Sequence, residues 1–272
     1  MQVQLNHLSY APTIFLRNAE MMAIEHLAPS IKDSIIPIFL LKTWGKSNDI
    51  SSSIKRIEKA YPKRSYFLDL DRYYDRDSTR PAWTQFKSLF DARNQFENWR
   101  TLIGSTEWAM PCLQLAGASP ADIAAQIEWA DELQRPFAFR VERAFQGNPS
   151  DILQAIGTVH HSNFVVIIDA GWSRDLLSLQ LWASGWISNL VKTNEKLRIV
   201  TTGSSFPDQF MAYGTYGEEP LQERPLHAAL KRLHNAADLI YGDWGSSRPH
   251  GAEGGGPGYP RIDLPVPALW AF

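Results

Sequence analysis

The sequence predicts an α/β fold in which eight parallel strands alternate with helices and close into a TIM-type (β/α)8 barrel, a single domain over residues 1–272. Apolar stretches of strand length alternate eight times with longer segments of helical periodicity. Parallel strands joined by helical crossovers close into a barrel at eight strands, and such barrels take about 250 residues. An open doubly wound sheet is the alternative, but it requires protected edge strands, and the sequence offers no blunted one.

The predicted strands are rich in Ile, Val, Phe and Tyr, the residue types that strands favour. In chain order they are Tyr10–Phe15, Ile35–Leu41, Ser65–Leu70, Met110–Leu115, Phe137–Glu142, Phe164–Asp169, Leu197–Thr202 and Asp238–Asp243. The helices predicted between them are Asn18–Leu27, Ile50–Ala60, Trp83–Trp108, Pro120–Gln134, Ser150–His160, Leu176–Glu195 and Leu226–Ala236. Ser119, Pro120 and Asp122 mark one helix start clearly, as an N-cap, a proline at the first helical position and a capping acid. The glycine-rich stretch 251–258 follows the last strand and is predicted to be flexible.

The composition excludes several classes of protein. A single cysteine, Cys112, rules out a scaffold held by intrachain disulfides. With 27 Lys and Arg against 29 Asp and Glu, the chain lacks an overall basic field that would gather nucleic acid. Its apolar runs are far shorter than the ~20 residues of a membrane helix, and its start has no secretory signal pattern. We therefore expect a cytoplasmic protein with no membrane partner.

Polar side chains cluster at the predicted carboxyl ends of the strands, the mouth of the barrel, where this fold binds its ligands. Strand three ends in the sequence 67–71 (FLDLD), and strand five contains the sequence 139–143 (FRVER). Because successive side chains of a strand point to opposite faces, the charged residues of each segment share the inner face and their apolar neighbours point to the helices. The residues expected at the mouth are Asp69, Asp71, Arg140, Glu142, Asp169 and Asp243.

Carboxylates that lie close together in a partly desolvated mouth suit general acid–base catalysis or a divalent cation such as Mg²⁺. The candidate catalytic residues are therefore Asp69, Glu142, Asp169 and Asp243, and the candidate metal ligands are Asp69, Asp71 and Asp169. The alternative is an ion-pair ring, in which Arg140 and Arg143 neutralise the acids and the cluster is structural.

Two Gly-Ser loops, 202–207 after strand seven and 243–247 after strand eight, are candidates for binding phosphate, as such loops do in many barrels. The candidate ligand-binding residues at the mouth are Arg140, Gly203, Ser204, Ser205, Trp172 and Trp244. The alternative is that these are ordinary turn residues. Asp243 favours this alternative, since its charge repels an anion.

Short motifs in this order resemble the phage-type beta protein family over nearly the whole chain. They are Tyr10-x-Pro12 followed by Glu20 and Ala23, then 35–39 (IIPIF), 67–71 (FLDLD), 139–143 (FRVER), 165–172 (VVIIDAGW), 202–207 (TGSSFP) and 241–246 (YGDWGS). The resemblance implies a single α/β domain with a phage connection, and it carries no assigned activity and no catalytic residues. The chain departs from the family pattern at 41–44 (LKTW), where an acidic or polar strand end is expected, and it stops soon after 261–263 (RID), where relatives are expected to continue.

The leading functional hypothesis is a carboxylate-rich pocket that binds, and as a hydrolase cleaves, a small anionic or phosphate-bearing ligand, with a divalent cation as the candidate cofactor. A second hypothesis is a non-catalytic interaction protein in phage–host conflict, a defence or counter-defence component. Its binding face would consist of exposed tryptophans and the segment 73–80 (YYDRDSTR). A third is a carbohydrate hydrolase with two carboxylates flanking a tryptophan-lined groove.

Overall fold

The computed structural model describes residues 5, 8–74, 78–144, 148–160, 163–207, 216–247 and 264–271. The strands within these ranges are β1 (Thr13–Phe15), β2 (Ile38–Leu41), β3 (Tyr66–Leu70), β4 (Ala109–Pro111), β5 (Phe137–Glu142), β6 (Phe164–Trp172), β7 (Arg198–Ser204), β8 (Glu218–Pro220), β9 (Asp238–Tyr241), β10 (Leu264–Pro265) and β11 (Leu269–Ala271). The helices are α1 (Asn18–His26), α2 (Pro29–Asp33), α3 (Ser51–Ala60), α4 (Pro81–Ser88), α5 (Arg93–Gly104), α6 (Pro120–Glu132), α7 (Pro149–Thr158), α8 (Leu176–Thr193) and α9 (Glu223–Leu233). The α/β class with parallel pairing is confirmed, and each of the eight predicted strands is present.

The parallel strands form two four-stranded sheets, in the orders β1-β2-β3-β4 and β5-β6-β7-β9. An isolated parallel bridge between Cys112 and Ala138 links the first sheet to the second at β4 and β5, and another between Tyr10 and Tyr241 links β1 to β9. At the second link the Ala11 amide donates to the Tyr241 carbonyl at 3.0 Å. Gly242 permits this approach, because a Cβ at that position would lie 2.7 Å from the Ala11 carbonyl oxygen.

Three apolar clusters follow from the alternation of side chains along the strands. One face of the first sheet packs on α1, α3, α4 and α5, and one face of the second packs on the helices from α6 to α9. The opposite faces of both sheets meet in a single inner cluster, which includes Phe67, Ala138 and Val200. Phe139 and Val141 pack toward the helices, as their alternation with Arg140 predicts.

Helix α6 shows how local sequence fixes an element boundary. The Ser119 hydroxyl accepts from the Asp122 amide at 3.2 Å, and the Asp122 carboxylate accepts from the Ser119 amide at 2.9 Å. Pro120 occupies the first helical turn, where a missing N–H costs nothing. The predicted capping box is confirmed.

Several predicted boundaries are wrong. The single helix predicted over Trp83–Trp108 is two helices, α4 and α5, and the backbone of Asn94, Gln95 and Phe96 has φ between +51° and +59°. Strand β6 extends to Trp172 through a register shift that begins at Asp169, with φ of +71° at Gly171, so Trp172 ends the strand and does not follow it. Strand β7 likewise extends through Ser204.

An antiparallel sheet in the order β10-β11-β8 was not predicted from the sequence. It packs Trp270 against Phe206 and Leu221 in a small apolar cluster beside the parallel strands. The predicted flexible stretch 251–258 lies outside the described residues, as do residues 75–77 of the segment 73–80. None of the ten tryptophans is exposed, because each packs at least partly against the core, so a face of exposed tryptophans is wrong. Among the described helices, none combines the length and the apolar character needed to cross a membrane.

Candidate functional site

Arg140 lies at the centre of a buried ion-pair network at the carboxyl ends of β3, β5 and β6. Its Nη1 donates to Asp69 Oδ2 at 2.9 Å. Its Nε and Nη2 donate to Asp169 Oδ2 at 3.0 Å and 2.6 Å, and Nη2 also lies 3.0 Å from Glu142 Oε1. The Arg140 side chain is 1% exposed, and those of Asp69 and Asp169 are 3% and 1% exposed. The structure therefore brings together four of the predicted site residues, held by β3, β5 and β6.

A second set of side chains completes this Arg140 network. Arg72 Nε lies 2.8 Å from Glu142 Oε2, and Arg72 Nη2 donates to Gln114 Oε1 at 2.9 Å. Gln114 Nε2 in turn donates to Asp69 Oδ1 at 2.9 Å. Burial raises the pKa of Glu142 although Arg140 and Arg72 oppose that rise. Burial also opposes the charge on Arg140, but the three carboxylates outweigh it and hold the pKa of Arg140 above its ordinary value.

The geometry of the Arg140 network matches the ion-pair ring, which was the structural alternative to a catalytic or metal-binding cluster. The anions that Arg140 binds are the protein's own, and its donors to Asp69, Asp169 and Glu142 occupy most of its hydrogen-bonding capacity. Among the described residues, no group of three or more His, Cys, Asp or Glu side chains is placed to hold a metal ion. The predicted metal site at Asp69, Asp71 and Asp169 thus has no support in the described part of the chain.

A second group of charged side chains, the Glu20–Asp71 group, lies at the ends of β1, β2 and β3. Glu20 is in the first turn of α1, and Asp71 and Lys42 directly follow β3 and β2. The Ser247 hydroxyl donates to Glu20 Oε1, while Glu20 Oε2 is buried with no hydrogen-bond partner among the described residues. Arg17 Nη1 is 3.6 Å from Glu20 Oε1. Asp71 and Lys42 are 5% and 7% exposed.

The pKa of each carboxyl group in the Glu20–Asp71 group lies above its ordinary value. Burial raises the pKa of Glu20 to about 7, against the opposing effects of the Ser247 hydroxyl, Arg17 and Lys42. Asp71 adds to the rise because its negative charge faces Glu20. Burial also raises the pKa of Asp71, while Lys42, the Tyr73 amide and Arg17 lower it. A carboxyl group with a pKa near 7 exchanges a proton at neutral pH, which is what a general acid or base must do.

Asp243 is separate from the Arg140 network. Its Oδ1 accepts from the Tyr10 hydroxyl at 2.9 Å and from the Gly245 amide at 3.0 Å. The side-chain contacts given for Asp243 thus lie at the β1–β9 link, and its predicted role beside Asp69, Glu142 and Asp169 stays a prediction.

The residues of the two predicted phosphate-binding loops contact other groups of the protein. Gly203 lies inside β7, where a Cβ would be 2.9 Å from the Gly171 carbonyl oxygen, so it serves strand packing and not a loop. The Ser204 hydroxyl donates to the Ser247 carbonyl at 2.7 Å. The amide and hydroxyl of Ser205 both donate to the Glu223 carboxylate, the hydroxyl at 2.9 Å. These contacts favour the structural alternative for this segment.

The two candidate tryptophans have different positions. Trp172 Nε1 donates to the Phe206 carbonyl at 2.8 Å at the edge of the mouth. Trp244 is 2% exposed and packs edge-on against Phe15 in the inner cluster, with ring centroids 5.5 Å apart.

Sequence reasoning missed Glu20, Lys42, Arg72 and Gln114 as site residues. Each follows the end of a strand by no more than five positions, and that placement was the available signal. Glu20 entered the sequence analysis only as part of the family motif that begins at Tyr10.

Comparison with known proteins identifies relatives but no activity. The sequence profile of the family described as "Beta protein" matches residues 10–272. Among curated proteins, Protein beta of Enterobacteria phage P4 is 25% identical over 279 aligned residues, which cover 100% of this chain and 76% of the phage protein. No solved structure matches the chain.

Proposed function

The chain belongs to the Beta protein family, a name that states no activity, and from the geometry of the mouth we propose that it binds a small phosphate-bearing anion there and hydrolyses it. The observation that carries the proposal is Glu20, a carboxyl group with a pKa of about 7 whose Oε2 is buried and has no hydrogen-bond partner among the described residues. Perturbed carboxyl groups of this kind are more frequent at active sites than elsewhere.

Roles in the reaction follow from charge and protonation. Lys42 and Arg17 supply positive charge beside Glu20 and Asp71, and they would hold the anion. Water attacks phosphorus and forms the new P–O bond while the bond to the leaving oxygen breaks. Asp71, as a carboxylate, takes the proton of the water, and protonated Glu20 donates its proton to the leaving oxygen. The Arg140 network fixes the strand ends beneath this site.

The eight-stranded barrel is part of the proposal, because it places all strand ends around one mouth. Backbone hydrogen bonds at both links between the sheets support it: the Thr13 amide donates to the Asp243 carbonyl at 2.7 Å, and the Leu113 amide to the Ala138 carbonyl at 2.8 Å. The inner cluster also draws residues from both sheets. An experimental structure in which β1 and β9 lie apart would contradict closure.

The test measures phosphate binding and phosphate release together. Inorganic phosphate is expected to raise the melting temperature of the wild type, because a ligand that binds only the native state stabilises it. Lys42→Met is expected to remove this shift. With p-nitrophenyl phosphate as substrate, Glu20→Gln is expected to lower kcat by about 100-fold or more and to remove a limb near pH 7 from the pH profile.

Matched controls lie on the outer surface. Glu25→Gln makes the same chemical change on the same helix, and Lys59→Met removes an exposed lysine that pairs with Glu25. Both variants are expected to keep phosphate binding and turnover. A wild type that shows neither a phosphate shift nor phosphate release above that of Glu20→Gln contradicts the proposed function.

A non-catalytic interaction protein in phage–host conflict is the second candidate, and one observation favours it. Leu177 and Leu181 lie four residues apart on α8 with 66% and 67% exposure, which forms an apolar strip of the kind that partners cover. In a plaque assay with the chain expressed in the host, this candidate predicts that Leu177→Ser with Leu181→Ser abolishes any effect on plating, while Glu20→Gln keeps it. A cytoplasmic location belongs to both candidates and stays a prediction.

A further inference from the structure

A groove of about 460 Å³ lies between α8 and α9, the two helices that pack on β6, β7 and β9 of the second sheet. Leu176 and Gln180 line it from α8. Ala228 and Ala229 line it from α9, and their short side chains leave the space between the two helices unfilled. The groove is thus a concave, largely apolar feature of the helical layer.

Two exposed leucines extend this apolar lining onto the outer face of α8. Leu177 and Leu181 each follow a groove residue by one position, which is about 100° around a helix. They lie four residues apart and therefore on one face, and they are 66% and 67% exposed. We call the groove and these two leucines the α8–α9 surface. Contiguous exposed apolar surfaces of this kind mark interaction sites.

The charge of the α8–α9 surface is positive, although the whole chain carries a net charge of −2. Within the two helices there are four cations and one acid, Glu223, and the cations are Lys192, Arg224, Lys231 and Arg232. Both Glu223 oxygens accept from Ser205, and Asp175 caps the start of α8 by accepting from an amide at 3.1 Å. Lys231 and Arg232 line the groove, and among the described residues no acid does. A partner of this surface therefore needs negative charge beside its apolar groups.

Shape and charge together select one kind of occupant. A second copy of the chain in a two-fold contact would set the same basic surface against itself, and like charges across an interface are costly. A lipid bilayer is flat and would leave the groove between the helices unfilled. An amphipathic helix instead inserts side chains spaced by three and four residues into such a groove.

We propose that the α8–α9 surface binds an amphipathic helix of a partner protein, one with an apolar face flanked by acidic residues. The apolar side chains of that helix enter the groove and cover Leu177 and Leu181, and its carboxylates lie against Lys231 and Arg232. The inference gives the chemistry of the partner for the interaction-protein candidate and rests on that candidate. It is independent of hydrolysis at the mouth.

Fluorescence anisotropy of the full chain with two labelled synthetic helices tests the charge selection. The first peptide contains Leu, Ala and Glu with all Leu on one face, and the second has Lys in place of Glu. The acidic peptide is expected to bind at least about tenfold more tightly than the basic one. Lys231→Glu with Arg232→Glu is expected to weaken it by about tenfold or more. The control, Lys46→Glu with Lys55→Glu, makes the same charge change at two exposed positions outside α8 and α9 and is expected to bind as the wild type does.

A second variant tests the groove by its shape. Ala228→Trp places a large ring in the groove from an exposed position, so it fills the groove without changing the core. It is expected to weaken the acidic peptide by about tenfold or more, as the loss of one buried apolar side chain implies. Ala124→Trp, at an exposed position of α6, is the control and is expected to keep full binding. If the charge variant fails to fold, as measured by circular dichroism, Ala228→Trp decides.

The remaining outcomes overturn the proposal. They are equal binding of the two peptides, no binding of the acidic peptide, and full binding in Ala228→Trp. Sedimentation of the chain with phosphatidylserine vesicles in place of peptide binding assigns the surface to lipid, and a dimer that Ala228→Trp dissociates assigns it to a second copy. Release of phosphate from p-nitrophenyl phosphate without peptide binding removes this inference alone. Peptide binding without phosphate release removes the proposed hydrolysis alone.

Discussion

The Arg140 network and the Glu20–Asp71 group are both buried at carboxyl ends of parallel strands and share only β3, yet their carboxyl groups differ in how they are paired. In the first, the carboxylates of Asp69, Asp169 and Glu142 each lie within 3.0 Å of an Arg140 nitrogen. In the second, Glu20 has a pKa of about 7, and its Oε2 has no hydrogen-bond partner in the part of the chain that the structure describes. The comparison separates carboxylates that hold strands together from a carboxyl group that is free to exchange its proton.

Energetics explains why the paired acids are poor candidates for catalysis. A buried charge is costly unless it is paired, and the pair then resists any change of protonation state. An acid that donates a proton to a ligand must lose and regain it at working pH. Glu20, with a pKa of about 7, meets this condition.

The largest expected effect is that of Arg140→Met on stability. The substitution leaves three buried carboxylates without their shared cation, and breaking a buried pair in this way costs about 3–5 kcal/mol. Urea unfolding measures the loss of free energy. Arg93→Met is the control, because the Arg93 side chain is 87% exposed and its pair with Asp91 contributes little. A loss below about 1 kcal/mol for Arg140→Met would show that the network is not structural.

The next effect concerns how stability depends on pH. The folded state binds a proton at Glu20 up to a pKa of about 7, above the ordinary value of 4.5. The folded chain therefore holds more protons than the unfolded chain between those values, and the contribution of Glu20 to stability falls as pH rises through that window. Unfolding free energies at pH 5, 6, 7 and 8 are expected to fall less steeply in Glu20→Gln than in the wild type.

Glu25→Gln sharpens this result, because Lys59 and Arg56 lower the pKa of the exposed Glu25 carboxyl. The contribution of Glu25 to stability is lost as pH falls, whereas that of Glu20 is lost as pH rises. Glu25→Gln is therefore not expected to make the decrease in unfolding free energy between pH 5 and 7 less steep. If the unfolding free energies of Glu20→Gln and the wild type depended on pH in the same way, the raised pKa of Glu20 would be contradicted.

The smallest effect is expected for Arg72→Met, at the boundary between the two regions. The Arg72 side chain is 23% exposed and shares Glu142 with Arg140, so its removal leaves Glu142 one partner. We expect a loss of about 1 kcal/mol, measured by urea unfolding beside Arg64→Met, whose side chain is 25% exposed and pairs with Asp33. A loss as large as that of Arg140→Met would mean that Glu142 depends on Arg72 and not on Arg140.

The sequence was sufficient to predict the parallel strands and some of the charged side chains at their carboxyl ends. Alternation along β3 and β5 placed Asp69 and Arg140 on one inner face, because a strand has a period of two residues whatever its surroundings. The same reasoning could not find the partner of each charge. Glu20, Lys42 and Asp71 come together through the order of three strands, and only tertiary structure shows that Asp243 turns to Tyr10.

Other errors also have local causes. The antiparallel sheet was missed because β8 and β10 are two or three residues long and contain Glu and Pro, which strands disfavour. The helix predicted over Trp83–Trp108 was wrong because continuous helical composition conceals a left-handed turn at Asn94–Phe96 that no glycine marks.

The close contact at Gly242 has a consequence for biosynthesis. The Tyr10 hydroxyl and the Asp243 carboxylate that meet at this link are 233 positions apart in the chain. During translation β1 is the first of the eight parallel strands to leave the ribosome, and its neighbour β9 is the last. The first strand must therefore wait with one edge uncovered until β9 has been synthesised.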